Sequence, residues 1–167
     1  NTATIVVAAL LIALPLAIFL GGVAASRSGR FSDHAISGGM FGILALPEFV
    51  VGVILIALLA GPVLRIFPPA SILDPRKTAL EQPELIVLPC LTMILIALPH
   101  LTESVKTLVR DELGSEHVLW ARLYGVRESR ILTRGVLPNV ASPTSQIIAT
   151  TINFLLGGSV AVETVFG

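Results

Sequence analysis

Two carboxylates stand where carboxylates are costly. Glu48 is the only charge in the run from Ala35 to Leu64, and Glu163 closes an uncharged run from Gly135 to Val162. An ionisable group within an apolar segment is expensive to bury, and it marks a route for ions, protons or substrate when it faces a cavity. Glu48, beside Pro47, is therefore a candidate to line a pathway and meet an amine or a metal cation. Glu163, near the end of its run, reads as a structural or gating contact, and Asn153, in the middle of that run, as a hydrogen-bonding group between helices. His34, His100, His117 and Cys90 show no metal-ligand spacing. No nucleophile and base are paired, and no Gly-x4-Gly-Lys-Ser/Thr loop exists to cradle a nucleoside triphosphate. The residues point to no catalytic centre, metal or cofactor of the chain's own, so ATP-derived energy would have to come from a partner.

The elements that position these residues follow from the distribution of charge. Of 167 residues, 54% are apolar and 13% charged, against about 25% charged in a soluble domain. No charge occurs from Asn1 to Ser26, from Leu85 to Thr102 or from Gly135 to Val162. About 20 apolar residues in a helix cross a bilayer core of about 30 Å. The expected fold is thus an all-α polytopic transmembrane bundle with four spans, at about 2–25, 39–64, 85–102 and 138–162. A disordered or nucleic-acid-coating chain is excluded. Cys90 is the single cysteine, so no intrachain disulfide forms.

Orientation comes from the connections. Arg27 and Arg30 lie in the first, and Lys106, Arg110, Arg122, Arg127, Arg130 and Arg134 in the third. The second has Arg65, Arg76 and Lys77 beside Asp74, Glu81 and Glu84. The positive-inside rule makes the first and third cytoplasmic. Prolines at 15, 47, 89, 99 and 143 are expected to kink the spans. Gly38, Gly39 and Gly42, and separately Gly157 and Gly158, offer faces for close helix contact. Beginning in an apolar span and stopping at Gly167, the chain is expected to be the central piece of a longer membrane protein.

The cytoplasmic loop 103–134 has its own pattern. Leu101, Val105, Leu108 and Val109 carry the third helix past the membrane to about Leu113, where Gly114 breaks it. Ser115 is placed to cap a short helix from Glu116 to Tyr124, with Leu119, Trp120, Leu123 and Tyr124 on one side. Gly125 ends it, and a second short helix, Arg127 to Val136, is expected to close at Pro138. Trp120 and Tyr124 alone fit interfacial anchors equally well. A DNA-binding helix-turn-helix also uses a Gly turn and basic residues, but this loop is tethered at both ends and mixes Asp111, Glu112, Glu116 and Glu128 among its arginines.

Ala121, Gly125, Leu137 and Pro138 resemble the cytoplasmic signature of inner-membrane permease subunits of ABC importers: Glu-Ala-Ala, three residues, Gly, nine residues, Ile, one residue, Leu-Pro. Leu119, Trp120 and Gly135 depart from it. The stretch Glu116-His117-Val118 through Ala121-Arg122-Leu123-Tyr124-Gly125, with Arg127 and Arg130, is similar to the peptide and nickel branch. Pro47-Glu48-Phe49-Val50 and Val162-Glu163-Thr164-Val165-Phe166-Gly167 resemble two further segments of that family.

The resemblance implies a type I ABC importer permease fold, spanning 1–167 as one transmembrane domain that lacks a first and a last span. It implies a multi-pass protein of a bacterial or archaeal cytoplasmic membrane. Its implied partners are ABC ATPase subunits, a second permease subunit, more often a different one than a second copy, and an extracytoplasmic substrate-binding protein. Glu116, Leu119, Trp120, Ala121, Arg122, Leu123, Tyr124, Gly125, Arg127, Arg130, Leu137 and Pro138 would form or support the helix that couples to the ATPase. The apolar side chains would be anchors and the arginines rim contacts. The competing class is a proton- or cation-coupled secondary transporter using Glu48 and Glu163, which has no use for a docking helix.

Overall fold

The computed structural model describes residues 2–61, 66–68 and 82–166, with side chains left aside at 2, 83, 84 and 159–166. The outer connection's Arg65, Asp74, Arg76, Lys77 and Glu81 lie outside the described residues, as does the side chain of Glu163. All regular structure among the described residues is helical. In chain order it comprises α1 Thr2–Ser26, α2 Phe31–Leu44, α3 Glu48–Leu55 with a π-helical continuation Ile56–Ala60, α4 Pro83–Leu113, α5 Glu116–Leu123, the single turn α6 Glu128–Arg130 with a π-helical run Ile131–Val136, and α7 Leu137–Phe166.

Helices α1 and α4 form the central pair. Ala9, Ala13, Ala17, Gly21 and Ala25 recur every four residues on one stripe of α1, and all are buried. So small a stripe lets two backbones approach closely. At Gly21 a Cβ atom would stand 2.8 Å from the Thr102 carbonyl oxygen and 3.0 Å from the Lys106 nitrogen, both backbone atoms of α4. The outer face of α1, with Val7, Leu11, Ile12 and Phe19, stays exposed, as a lipid-facing surface would. Around this pair lie two apolar clusters. One joins α1, α3, α4 and α7 through residues such as Val6, Val51, Leu88, Leu101 and Leu155. The other, at the cytoplasmic end, joins Ala25, Val105, Val109, Val118, Ile131, Val136 and Val140.

Ala3–Ser26 and Leu85–Leu113, which overlie the first and third expected spans, are long and apolar enough to cross a membrane. The second does not form one helix over 39–64. The pair α2 and α3 bends by 98° at residues 45–47. Pro47 gives no N–H to the preceding turn and holds Leu46 out of helical geometry, so the expected kink becomes a break. Pro15, Pro89, Pro99 and Pro143, by contrast, sit inside continuous helices.

Helix α7 carries no charge from Leu137 to Val162. Absence of charge is not apolarity: Ser142, Thr144, Ser145, Gln146, Thr150 and Thr151 lie along it. Several of these groups are satisfied within the helix, Thr144 donating to the Val140 carbonyl at 2.6 Å and Thr151 to that of Ile147 at 2.8 Å. Pro138 does not close a second short helix either. The π-helical run passes directly into α7, with Leu137 helical at the junction, because the change of hydrogen-bond register there accommodates a residue without an N–H.

The close approach at Gly21 is testable. Gly21→Val drives a side chain into the α4 backbone, and overpacking of this kind costs about 1–3 kcal/mol. Gly22→Ala, where nothing lies within 4 Å, should be neutral or slightly stabilising, glycine being the poorer helix former by about 0.5–1 kcal/mol. Thermal unfolding of the detergent-solubilised protein should separate the two by several degrees, and equal melting temperatures would remove α1 from its central role.

Candidate coupling site at the cytoplasmic end

Helix α4 leaves the apolar region after Thr102 and continues to Leu113, where Gly114 ends it in right-handed geometry. Ser115 takes the extended N-cap conformation before Glu116, as the sequence predicts. Its hydroxyl does not cap α5, however. It donates back to the Glu112 carbonyl at 2.6 Å and lies 3.0 Å from His117 Nδ1. The turn is clamped by Glu112, whose Oε1 accepts a hydrogen bond from Asn139 Nδ2 at 2.6 Å and lies 3.4 Å from His117 Nε2. One carboxylate thus ties the end of α4 to the starts of α5 and α7.

The far end of α5 explains the spacing of Ala121 and Gly125. Tyr124 is the C-cap, and Gly125 follows with φ of +75°, a left-handed conformation that favours glycine. The Val126 N–H donates to the Ala121 carbonyl at 3.0 Å and the Gly125 N–H to that of Arg122 at 2.9 Å. This is the paired 6→1 and 5→2 arrangement of a Schellman cap. The four-residue interval is the distance from its first acceptor to its glycine.

Two faces of α5 then have opposite surroundings. Val118 is fully buried against Val105, Val109, Ile131 and Val136, with Ala121 partly buried beside it. Leu119, Trp120, Leu123 and Tyr124 are 56%, 57%, 68% and 82% exposed. Four large apolar groups in the open on an eight-residue helix form the kind of patch that marks a contact surface. Glu116 lies in the first turn. Arg122 is held on the chain's own surface, its Nε 2.7 Å from Glu128 Oε1 and its Nη2 3.2 Å from Oε2. That bidentate bond lowers the Glu128 carboxyl below the ordinary glutamate value and raises Arg122. The pair is intact at neutral pH and is lost as pH falls through the lowered Glu128 value; being exposed, it adds little stability. Arg127 and Arg130 are exposed on the following turn, Leu137 is partly buried against the cytoplasmic cluster, and Pro138 is exposed.

The remaining sequence-predicted residues lie elsewhere. Glu48 occupies the first turn of α3 and is half-buried. It lines a crevice of about 180 Å3 with Leu46, Pro47, Ile96, Pro99 and Phe154. Its carboxylate lies against the Gly158 backbone, where an added Cβ would stand 2.6 Å from Oε2. Of the expected glycine faces, Gly158 alone meets a neighbour this way; Gly38, Gly39, Gly42 and Gly157 have nothing within 4 Å. Asn153 is exposed on α7. Val118, Glu112 and Asn139 were not legible as site residues, although Val118 continues the apolar spacing of α5 and Asn139 directly follows Leu137-Pro138.

Comparison with known proteins gives the family. Residues 13–167 match the family described as binding-protein-dependent transport system inner membrane component, and the chain belongs to that family. It is a multi-pass protein of the cytoplasmic membrane. It is 29% identical over 168 residues to the oligopeptide transport system permease protein AppB of Bacillus subtilis, covering 99% of this chain and 53% of that protein. It is 26% identical over 166 residues to the metal-staphylopine import system permease protein CntB of Staphylococcus aureus, covering 99% and 50%. To the nickel import system permease protein NikB of Staphylococcus aureus it is 27% identical over 157 residues, covering 94% and 44%. The chain spans about half the length of the curated relatives it matches. The secondary-transporter alternative has no support in these relationships.

The two faces of α5 predict different responses to the same substitution. Val118→Asp places a carboxylate in an apolar socket and should free α5, seen as faster limited proteolysis between residues 114 and 126. Leu119→Asp, on the exposed face, should leave the cleavage rate unchanged.

Proposed function

We propose that this chain supplies the transmembrane domain of a permease subunit in an ATP-driven importer, with its spans at about 2–25, 39–64, 85–102 and 138–162. Helix α5 is the element that docks into a separate cytoplasmic ATPase. The observation that carries this reading is the division of α5: Val118 fixes it to the permease while Leu119, Trp120, Leu123 and Tyr124 stand free. An amphipathic helix laid into a groove uses such anchors, and large aromatic groups at its centre carry most of the binding energy. Arg127 and Arg130 serve as polar rim contacts. Arg122, already paired with Glu128, shapes the turn.

Two permease subunits enclose the pathway, two ATPase subunits close on ATP beneath them, and an extracytoplasmic binding protein delivers the cargo. The cargo class is peptides or a related small solute, with nickel complexes a further member, by analogy with the relatives named above. Glu48, in its crevice beneath the bend between α2 and α3, is the residue best placed to meet a cationic group on the cargo. Asn153 and Glu163 belong to the same pathway on α7.

Trp120→Ala and Gly125→Asp should each lower ATP-driven uptake at least about tenfold, one aromatic anchor at a hot spot being worth about 2 kcal/mol or more, while membrane insertion is unchanged. Uptake into vesicles containing the assembled complex should require ATP and resist a protonophore. Variants that still co-purify with the ATPase and transport normally, or uptake that follows the proton gradient without ATP, would overturn the reading.

A further inference from the structure

We propose that Lys106 is a positioning residue whose ammonium group is exchanged between two carboxylates, holding α2 to α4 in one state of the transport cycle and releasing it in another. Lys106 lies one turn beyond the apolar part of α4. Its Nζ is 2.5 Å from Asp33 Oδ1 and donates to Ser37 Oγ at 2.7 Å, both on α2. The site is enclosed, with the side chains of Lys106 and Asp33 only 14% and 11% exposed. Among the described residues it is the ion pair that ties the bent helix pair to the helix bearing α5.

Pulling α2 away would leave an enclosed ammonium unpaired, which is strongly unfavourable. A second acceptor removes that obstacle. Glu103, one turn back on α4, places Oε2 at 3.9 Å from Lys106 Nζ, and its Oε1 is buried without a hydrogen-bond partner. Asp33 is also provided for, since its Oδ2 accepts the N–H of Gly29 at 2.9 Å independently of the lysine. Gly29 has φ of +76°, the left-handed conformation that aims its N–H back into α2. Asp33 therefore keeps a hydrogen-bond donor when the lysine leaves it, and Glu103 gains one when the lysine arrives. Neither the apolar contacts of α4 with α1 nor the backbone contact at Gly21 offers such an alternative.

Two partners for one cation make a bistable element, and removing either should bias it in opposite directions. The measurement is the distance between spin labels at Ala35→Cys on α2 and Thr107→Cys on α4, both exposed positions. It is made in the assembled complex of the full-length permease, in a Cys90→Ser background, with and without ATP. Asp33→Asn should lower the ratio of the short-distance to the long-distance population about five- to tenfold, and Glu103→Gln should raise it by a similar factor. Lys106→Arg should retain the wild-type distribution and Lys106→Met should not. Transport should fall in both carboxamide variants while the ATPase still co-purifies.

A purely structural ion pair predicts that Asp33→Asn and Glu103→Gln shift the ratio in the same direction or leave it unchanged, and either result overturns the proposal. Because the label distance is read directly, it stands apart from the α5 assignment: loss of ATPase co-purification on Trp120→Ala tests that reading separately. If Asp33→Asn fails to insert, Ser37→Ala, which removes only the hydroxyl acceptor on α2, should shift the ratio in the same direction by a smaller amount, and an unchanged ratio would overturn the exchange.

Discussion

The seam between α1 and α4 sets the geometry of the molecule. Ala9, Ala13, Ala17, Gly21 and Ala25 present almost no side-chain volume along one stripe, so the two backbones meet closely enough that Gly21 has no room for a methyl group. In lipid, helices gain nothing from hiding apolar surface that tails would cover equally well. Close van der Waals packing is what remains to drive association. At 31 residues α4 is about 46 Å long, well beyond the hydrocarbon core. Fixed against α1 along its apolar part, it projects a rigid stem into the cytoplasm, and everything at that end is attached to the stem.

What is attached there is small but completely specified. Helix α5 has only eight residues, far below the length at which a helix is stable alone. It persists because each end and one face are held by the rest of the chain. Glu112 clamps its start through His117 and Asn139, a Schellman cap closes its end at Gly125, and Val118 fills a socket built by α4 and the π-helical run. With these contacts turned inward, its aromatic and leucine side chains are free to face outward at no cost in packing. The permease signature read along the sequence is, in physical terms, the set of residues that fixes this helix: Ala121 and Gly125 are the cap, and Leu137-Pro138 begins the helix whose Asn139 completes the clamp.

Local signals were legible in the sequence and long-range ones were not. Charge-free runs located α1 and α4, and Ser115 and Gly125 bracketed α5 to within a residue. The four-residue repeat of Ala9 through Ala25 was equally readable, although the conspicuous glycines at 38, 39 and 42 draw attention first and prove to have open surroundings. Proline was the least transferable signal. Pro47 breaks a helix, Pro138 enters one through a π-helical register change, and Pro99 is buried within one. Which of these a proline does depends on whether neighbouring turns can supply another hydrogen-bond register, a property of the surroundings. Asp33 and Lys106 lie in separate loops of the sequence and meet only because α2 folds back against α4.

Two kinds of contact therefore meet on α4, and their chemistry divides the bundle mechanically. The α1 face is held by many small, short-range contacts that all fail together if the helices separate by even an ångström. It acts as one body. The α2 face at the cytoplasmic end is held by a polar cluster of Lys106, Asp33, Ser37 and Glu103. On the exchange proposed above, a joint of that second kind is suited to repeated opening, since the lysine has a carboxylate partner in either arrangement. The α2 and α3 pair carries the bend and the crevice lined by Glu48, and at its cytoplasmic end it is joined to the stem through the polar contact. Helix α4, which bears α5, is joined to α1 through the apolar one.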